Sequence, residues 1–270
     1  MSAVGTLIQH WRKTRRLSQL ALAAEAAVST RHLCFIETGR ASPSREMVLK
    51  LAAVLDVPLR ERNTMLLAAG YAPVYRESTL DEPVLAAVRA ALDAILRQQE
   101  PYPAVAMNRD WDIIHGNSAA ARFFGFLLDG REPASSGNVL RMMFHPDGVR
   151  SHVSNWPDVA GALVARVHRE AIGGVADERA QRLLAEVLAY PGVPASLRTV
   201  DPTVPLVPVI PVCFAKDGQR FEFFSTVTTL GTPQDVTVQE LRIECFFPAD
   251  EQTRAAAQRL EEMAVSRAEA

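Results

Sequence analysis

Apolar side chains recur at helical spacing along residues 5–70 and define five amphipathic segments. The first, Thr6–Arg16, carries Leu7, Ile8 and Trp11 on one side. Two shorter segments follow, in which Leu17, Leu22, Val28, Leu33 and Ile36 fall where a pair of crossing helices needs apolar contacts. Small Ala23, Ala26 and Ala27 sit at the crossing, where bulk would force the helices apart. Ser29 is placed as an N-cap, Glu37-Thr38-Gly39 ends a helix on glycine, and Pro43-Ser44 opens the next. That next helix, Ser44–Leu55, repeats apolar residues at Met47, Val48, Leu51, Ala52 and Leu55. The fifth starts after Pro58, passes through Met65-Leu66-Leu67 and stops at Gly70.

Beyond a polar, proline-bounded linker at Val74–Pro83 the pattern becomes mixed. Helical spacing returns at Val84–Gln99, Ser118–Phe126, Val139–Phe144, Asp158–Ile172 and Asp177–Tyr190. Ala104–Met107 and Trp111–His115 flank Asn108-Arg109-Asp110 as a hairpin. Pro191, Pro194, Pro202, Pro205, Pro208 and Pro211 punctuate an irregular passage. Strands are expected at Val209–Ala215 and Arg220–Leu230, joined by a turn with the Asp217-Gly218 signal, and again at Val236–Phe247. Helices between strands imply an α+β layer arrangement. The organisation is therefore 1–73 helical, 74–83 linker, 84–250 α+β, and 251–270 a helical, solvent-facing tail.

With 270 residues and 48% hydrophobic content the chain can bury one to two cores. No uninterrupted apolar run is long enough for a membrane span, and the start lacks the order of a secretory signal. Three scattered cysteines (Cys34, Cys213, Cys245) make no disulfide framework. A reducing cytoplasm is the expected home. The net charge of −2 is unevenly divided: residues 1–75 carry +5 and the remainder −7. Basic residues gather at Arg12, Lys13, Arg15 and Arg16, with Arg40 and Arg45 at the far end of the paired helices. Any one of these suits a solvated helix face; together they suit phosphates.

Two helices with a tight turn could be any αα-hairpin. The positions left facing outward between the apolar clamps, Gln19, Thr30, Arg31, His32 and Phe35, instead suit a helix-turn-helix that presents its second helix to a DNA groove. The residues Ser18-Gln19, Leu22-Ala23, Val28-Ser29, Leu33, Ile36-Glu37, Gly39 and Pro43-Ser44 resemble the Cro/C1-type helix-turn-helix, or xenobiotic-response-element family. That resemblance implies a five-helix, lambda-repressor-like all-α bundle that binds double-stranded DNA. It implies that Gln19 meets phosphate together with the start of the helix it opens, that Ser29 lies among the DNA-binding positions, and that Thr30, Arg31 and Phe35 reach base edges. Arg40 and Arg45 hold the DNA backbone in the same reading. His32 either touches phosphate or covers the helix surface, and Arg12 with Glu37 bridges the first helix to the end of the third. Two positions depart from the pattern: Ala27 stands where relatives often have glycine, and Leu20 where they have a polar residue. Cys34 is expected to face outward as a tolerated surface residue.

The second half is similar to PAS-type sensor domains. It resembles more narrowly the MmyB-like ligand-binding domain, through Trp111-Asp112-Ile113, Asn117, Phe144-His145-Pro146-Asp147-Gly148, Arg150 and Asn155-Trp156. The resemblance implies a transcriptional regulator that senses a small apolar or acyl-type, fatty-acid-like molecule and binds a pseudo-palindromic operator as a homodimer. Trp111, Phe124, Phe144 and Trp156 are candidates for an apolar pocket, and Asn117, His145, Arg150 and Asn155 for its polar groups. Packed core, and a simple turn at His145–Gly148, are the competing readings. The alternative function is a DNA-binding repressor or antitoxin whose second domain makes protein contacts without a ligand. An enzyme is not expected. His115, His145, His152 and His168 lack metal-ligand spacing, Gly173-Gly174 is isolated, and no phosphate-cradling loop or cofactor motif is present.

Overall fold

The computed structural model describes residues 2–132, 135, 137–172, 178–198, 211–231 and 233–268. Gly173-Gly174, Asp177, Pro202, Pro205, Pro208 and the start of the strand expected from Val209 lie outside the described residues. The chain forms two compact units.

The first unit contains α1 (Ala3–Thr14), α2 (Gln19–Glu25), α3 (Thr30–Thr38), α4 (Arg45–Val54) and α5 (Leu59–Ala68). Each of the first four helices opens behind a serine. The hydroxyls of Ser2, Ser18, Ser29 and Ser44 accept from the amides of Gly5, Ala21, His32 and Met47. Each thus satisfies one of the donors a helix start leaves unpaired. The ends are as regular. Arg16, Ala27, Gly39 and Asp56 adopt positive φ, which turns the chain sharply out of α1, α2, α3 and α4. Ala27, at φ +48°, takes the left-handed turn without glycine's freedom. Trp11, Ile8, Leu22, Leu33, Ile36, Leu51 and Leu55 close the core with no exposure. Gly5 sets how near α1 comes to α3, since a Cβ there would stand 2.5 Å from the Ile36 carbonyl oxygen and 2.6 Å from that of Glu37.

Arg12 and Glu37 are buried inside this bundle. The guanidinium donates from Nε to Oε1 at 2.7 Å and from Nη2 to Oε2 at 2.9 Å, and its Nη1 donates to the Leu17 carbonyl at 2.9 Å. Gln19 Nε2 donates to Glu37 Oε2 at 2.8 Å. Burial alone would raise the Glu37 carboxyl; Arg12 and Gln19 outweigh it and hold it below the usual carboxylate range. Residues 233–239, from far along the chain, complete this unit. The α5 helix has no side-chain cap of its own, and Gln239 Oε1 accepts from its first amide, Leu59, at 2.6 Å. Asp235 accepts from the Ser78 amide, and Val236 donates to the Arg76 carbonyl.

The second unit is built on an antiparallel sheet of β1 (Ala104–Met107), β2 (Ile113–Gly116), β3 (Val212–Lys216), β4 (Gln219–Thr228) and β5 (Arg242–Pro248) in the order β2-β1-β5-β4-β3. Helices accompany it: α6 (Ala86–Gln98), α7 (Ser118–Leu127), α8 (Val139–Phe144), α9 (Trp156–Ile172), α10 (Glu178–Leu188) and α12 (Glu251–Ala268), whereas α11 (Val236–Glu240) belongs, but for its last residue, to the first unit. Alternation along the strands sends side chains to opposite faces. Leu92 and Leu96 of α6 cluster with Ala104, Ala106, Ile243 and Cys245 on one face. On the other face Phe123 of α7 meets Phe214, Phe221 and Phe223 edge-on, at 5.1–5.4 Å. The Asp217-Gly218 turn has positive φ at both residues, the twist a two-residue hairpin needs. Cys213 and Cys245 are buried on their strands; burial, then Glu244, pushes the Cys245 thiol up.

Three local expectations are corrected. Val236–Glu240 is a helix and the last strand starts only at Arg242. Val236 and Val238 read as strand alternation, but Asp235 accepts from the Thr237 amide and both valines are buried. Trp111 is not in β2: it takes φ +67°, while Asn108 Oδ1 accepts from the amides of Asp110 and Asp112 and closes a tighter loop. The tail is helical but not merely solvent-facing. Ala256 and Ala257 are buried and the Thr253 hydroxyl accepts from the Glu222 amide on β4.

Arg12→Ala is expected to cost about 3–5 kcal/mol in the first unit, because it strands a buried carboxylate; amide hydrogen exchange in α1 and α3 measures it. The lowered Glu37 value stabilises the unit above the ordinary carboxylate range, and that contribution disappears as pH falls through the lowered value. Ala27→Gly is expected to raise stability by about 0.5–1 kcal/mol, read by chemical denaturation, since it relieves the left-handed turn.

Candidate nucleic-acid interface and ligand cavity

The inward face of α3 is Leu33, Ile36 and Glu37, all buried. About half a turn round the helix axis lies an outward stripe on which Arg31 is exposed and Thr30, Cys34 and Phe35 are half-buried. The Arg31 guanidinium carbon lies 5.3 Å from the centroid of the Phe35 ring, one turn further on. Contact of that kind holds a long side chain extended over the helix surface. Ser29 spends its side chain on the cap of α3. Arg40 and Arg45 are exposed at the end of α3 and the start of α4, and His32 is half-buried.

The basic cluster divides by role. Arg12 is committed to Glu37 and the Leu17 carbonyl. Arg15 caps α4, donating from Nε to the Leu55 carbonyl at 2.9 Å and from Nη2 to that of Asp56 at 2.7 Å. Lys13 and Arg16 stay exposed. Gln19, expected on phosphate through its side chain, has that side chain turned to Glu37. Its backbone amide, in the first turn of α2, has the position from which a helix start meets an anion.

In the second unit the sheet and helices enclose a cavity with an empty volume of about 540 Å³, its mouth included. Val105, Phe214 and Phe246 line it from the sheet. Met142 and Met143 of α8 and Val159 and Leu163 of α9 face them. Methionines bend to fit an irregular apolar guest. Glu244 of β5 is the one ionisable side chain in the described lining. Its Oε1 accepts from the Ser225 hydroxyl at 2.7 Å, and its Oε2 lies 3.6 Å from Arg166 Nη1.

Of the eight side chains expected to form a ligand site, Phe124 lies in the lining and the other seven lie elsewhere. Asn117 is buried, caps α7 at Ala120, accepts from the Ala104 amide and donates to the Leu96 and Tyr102 carbonyls. Asn155 ties the start of α9 to β3 through the Cys213 amide and the Pro211 carbonyl. Phe144 packs edge-on against Trp156, whose Nε1 donates to the Met143 carbonyl. Arg150 stacks 4.1 Å over Trp156 and donates to the carbonyls of Pro191 and Gly192. His145 ends α8 against the Tyr190 ring. Trp111 is buried beneath the Arg166 guanidinium, 4.5 Å away. These side chains are engaged in caps, ties between elements and ring contacts within the unit. Val159 and Leu163, four apart on α9, and Glu244 amid an apolar strand were the overlooked signals.

Among the described residues no group of three or more His, Cys, Asp or Glu is placed to hold a metal ion. No described helix is long and apolar enough to cross a membrane.

Residues 88–260 match the family described as MmyB-like transcription regulator ligand binding domain, and residues 8–62 match a helix-turn-helix family. No curated protein matches the chain. Among solved structures the chain is similar to an RNA-binding Light-Oxygen-Voltage receptor at 14% identity and a TM-score of 0.26; the match covers 98% of this chain and 64% of that one.

Arg31→Ala is expected to relax base preference at one position of each half-site by about 1–3 kcal/mol, measured by binding to a library of operator variants. Equal weakening on every sequence would place Arg31 on phosphate instead.

Proposed function

The chain belongs to the transcription regulators that carry an MmyB-like ligand binding domain behind a helix-turn-helix, and from that premise we propose an operator-binding switch set by an apolar effector. That it is a DNA-binding regulator with a ligand-binding domain follows from the family. The finer reading is that two copies place α3 in successive major grooves about 34 Å apart on a pseudo-palindromic site. Thr30, Arg31 and Phe35 read base edges. His32, Arg40, Arg45 and the starts of α2 and α3, at Gln19 and Ser29, meet phosphate and set register without reading sequence. The protein works in the cytoplasm, alongside its operator.

The effector is a small molecule with an apolar, acyl-type body. The observation that carries this is the cavity, whose described lining is apolar apart from Glu244. Such a space favours a guest that removes hydrocarbon from water. A route to the DNA-binding unit is present in the chain itself. A short stretch joins Gln239, which caps α5, to Glu244, which lines the cavity. An effector that binds one setting of β5 better than another would shift the population of dimer arrangements.

Operator affinity should fall steeply with added salt if the exposed arginines meet phosphates; a flat dependence would contradict the contacts proposed. Leu163→Trp should fill the cavity at a stability cost of about 1–3 kcal/mol. Operator affinity is expected to be retained while response to an organic extract of the purified protein is lost. Mobility-shift titrations with and without that extract provide the test.

A further inference from the structure

Arg31 and Phe35 stand four residues apart on α3 and so share one face of the helix. The Arg31 guanidinium carbon lies 5.3 Å from the centroid of the Phe35 ring, with the arginine exposed and the ring half-buried. The ring is the more confined partner, and the arginine rests on it. We propose that the pair reads a single dinucleotide step. Arg31 takes a guanine and Phe35 the 5-methyl group of a thymine in the adjoining base pair, while the ring fixes where the guanidinium can reach. Phe35 is thus a positioning residue for Arg31 as well as a contact. This rests on α3 being the reading helix.

Distance decides the step. Stacked bases lie about 3.4 Å apart, so pairs two steps apart are separated by about 6.8 Å. A ring centred 5.3 Å from the guanidinium carbon falls short of that second level and meets the base pair beside the guanine. Chemistry decides the bases. A guanidinium offers paired donors, which match the O6 and N7 acceptors of guanine. A phenyl ring has no hydrogen bond to give or take, and the apolar group in the major groove is the thymine methyl. An unsupported arginine loses rotamer freedom on binding. The ring restricts that freedom before DNA arrives, so more of the contact remains as preference for guanine.

The test uses the full chain at fixed salt and a randomised duplex library, from which bound sites are recovered and sequenced. Each half-site is expected to hold a guanine beside a thymine. On such a site, deoxyuridine in place of that thymine removes only the methyl and should weaken binding about fourfold. Cytosine there should bind as weakly, and 5-methylcytosine should regain the lost affinity. These arms need no substituted protein. Exchanging the guanine for adenine should weaken binding at least about fivefold. Phe35→Leu keeps an apolar side chain for the methyl but takes the ring from Arg31. It should reduce the guanine preference about two- to fivefold while thymine stays preferred over deoxyuridine. Phe35→Tyr keeps the ring and should keep the guanine preference. A guanine preference unchanged by Phe35→Leu, or no loss with deoxyuridine, would overturn the pairing and leave α3 as the reading helix. Recovery of no preferred sequence would overturn both.

Discussion

Glu37 and Arg12 leave water together, and neither could be buried alone at acceptable cost. Their pairing fixes more than an attraction between α1 and α3. The two-pronged contact, with the Leu17 carbonyl and the Gln19 amide closing the remaining bonds, sets the rotation of α3 about its own axis. Leu33 and Ile36 alone would tolerate some roll, since apolar contact has no direction. A carboxylate held from two sides does not. Because successive residues on a helix are about 100° apart, the inward aim of Glu37 determines the outward aim of Arg31 and Phe35. Gly5 adds the matching constraint on distance, letting α1 close onto the last turn of α3.

The second unit uses its polar side chains in the same way. Asn117 and Asn155 tie helix starts to strands, and Trp156 is pinned through its ring nitrogen. These bonds are internal, so side chains expected to face a ligand are engaged within the unit. The cavity lies between apolar faces of the sheet, α8 and α9. Glu244, inward on a strand edge of that space, is left as the feature with a charge to offer.

In the first seventy or so residues local signals agree with one another. Serines stand at four helix starts, glycine ends α3, and helical spacing marks the clamps, so the bundle could be read directly. Family resemblance supplied the second domain's class. Its details were less legible for physical reasons. Val236–Glu240 alternates like a strand, yet a carboxylate at Asp235 and burial of Val236 and Val238 in the first unit make it helical. Trp111 looked like a strand residue until the Asn108 side chain closed the loop around it.

The sequence by itself determined the five-helix bundle, its reading helix and the presence of an α+β partner unit. These follow from periodicity, capping and glycine placement, which act over a few neighbouring residues. Tertiary structure alone decided which arginines are engaged inside the bundle, which aromatics line the cavity, and that Glu244 faces it. Those outcomes depend on partners far apart in the chain, such as Arg15 with Leu55 or Arg166 with Glu244. No local pattern records a contact between residues that only folding brings together.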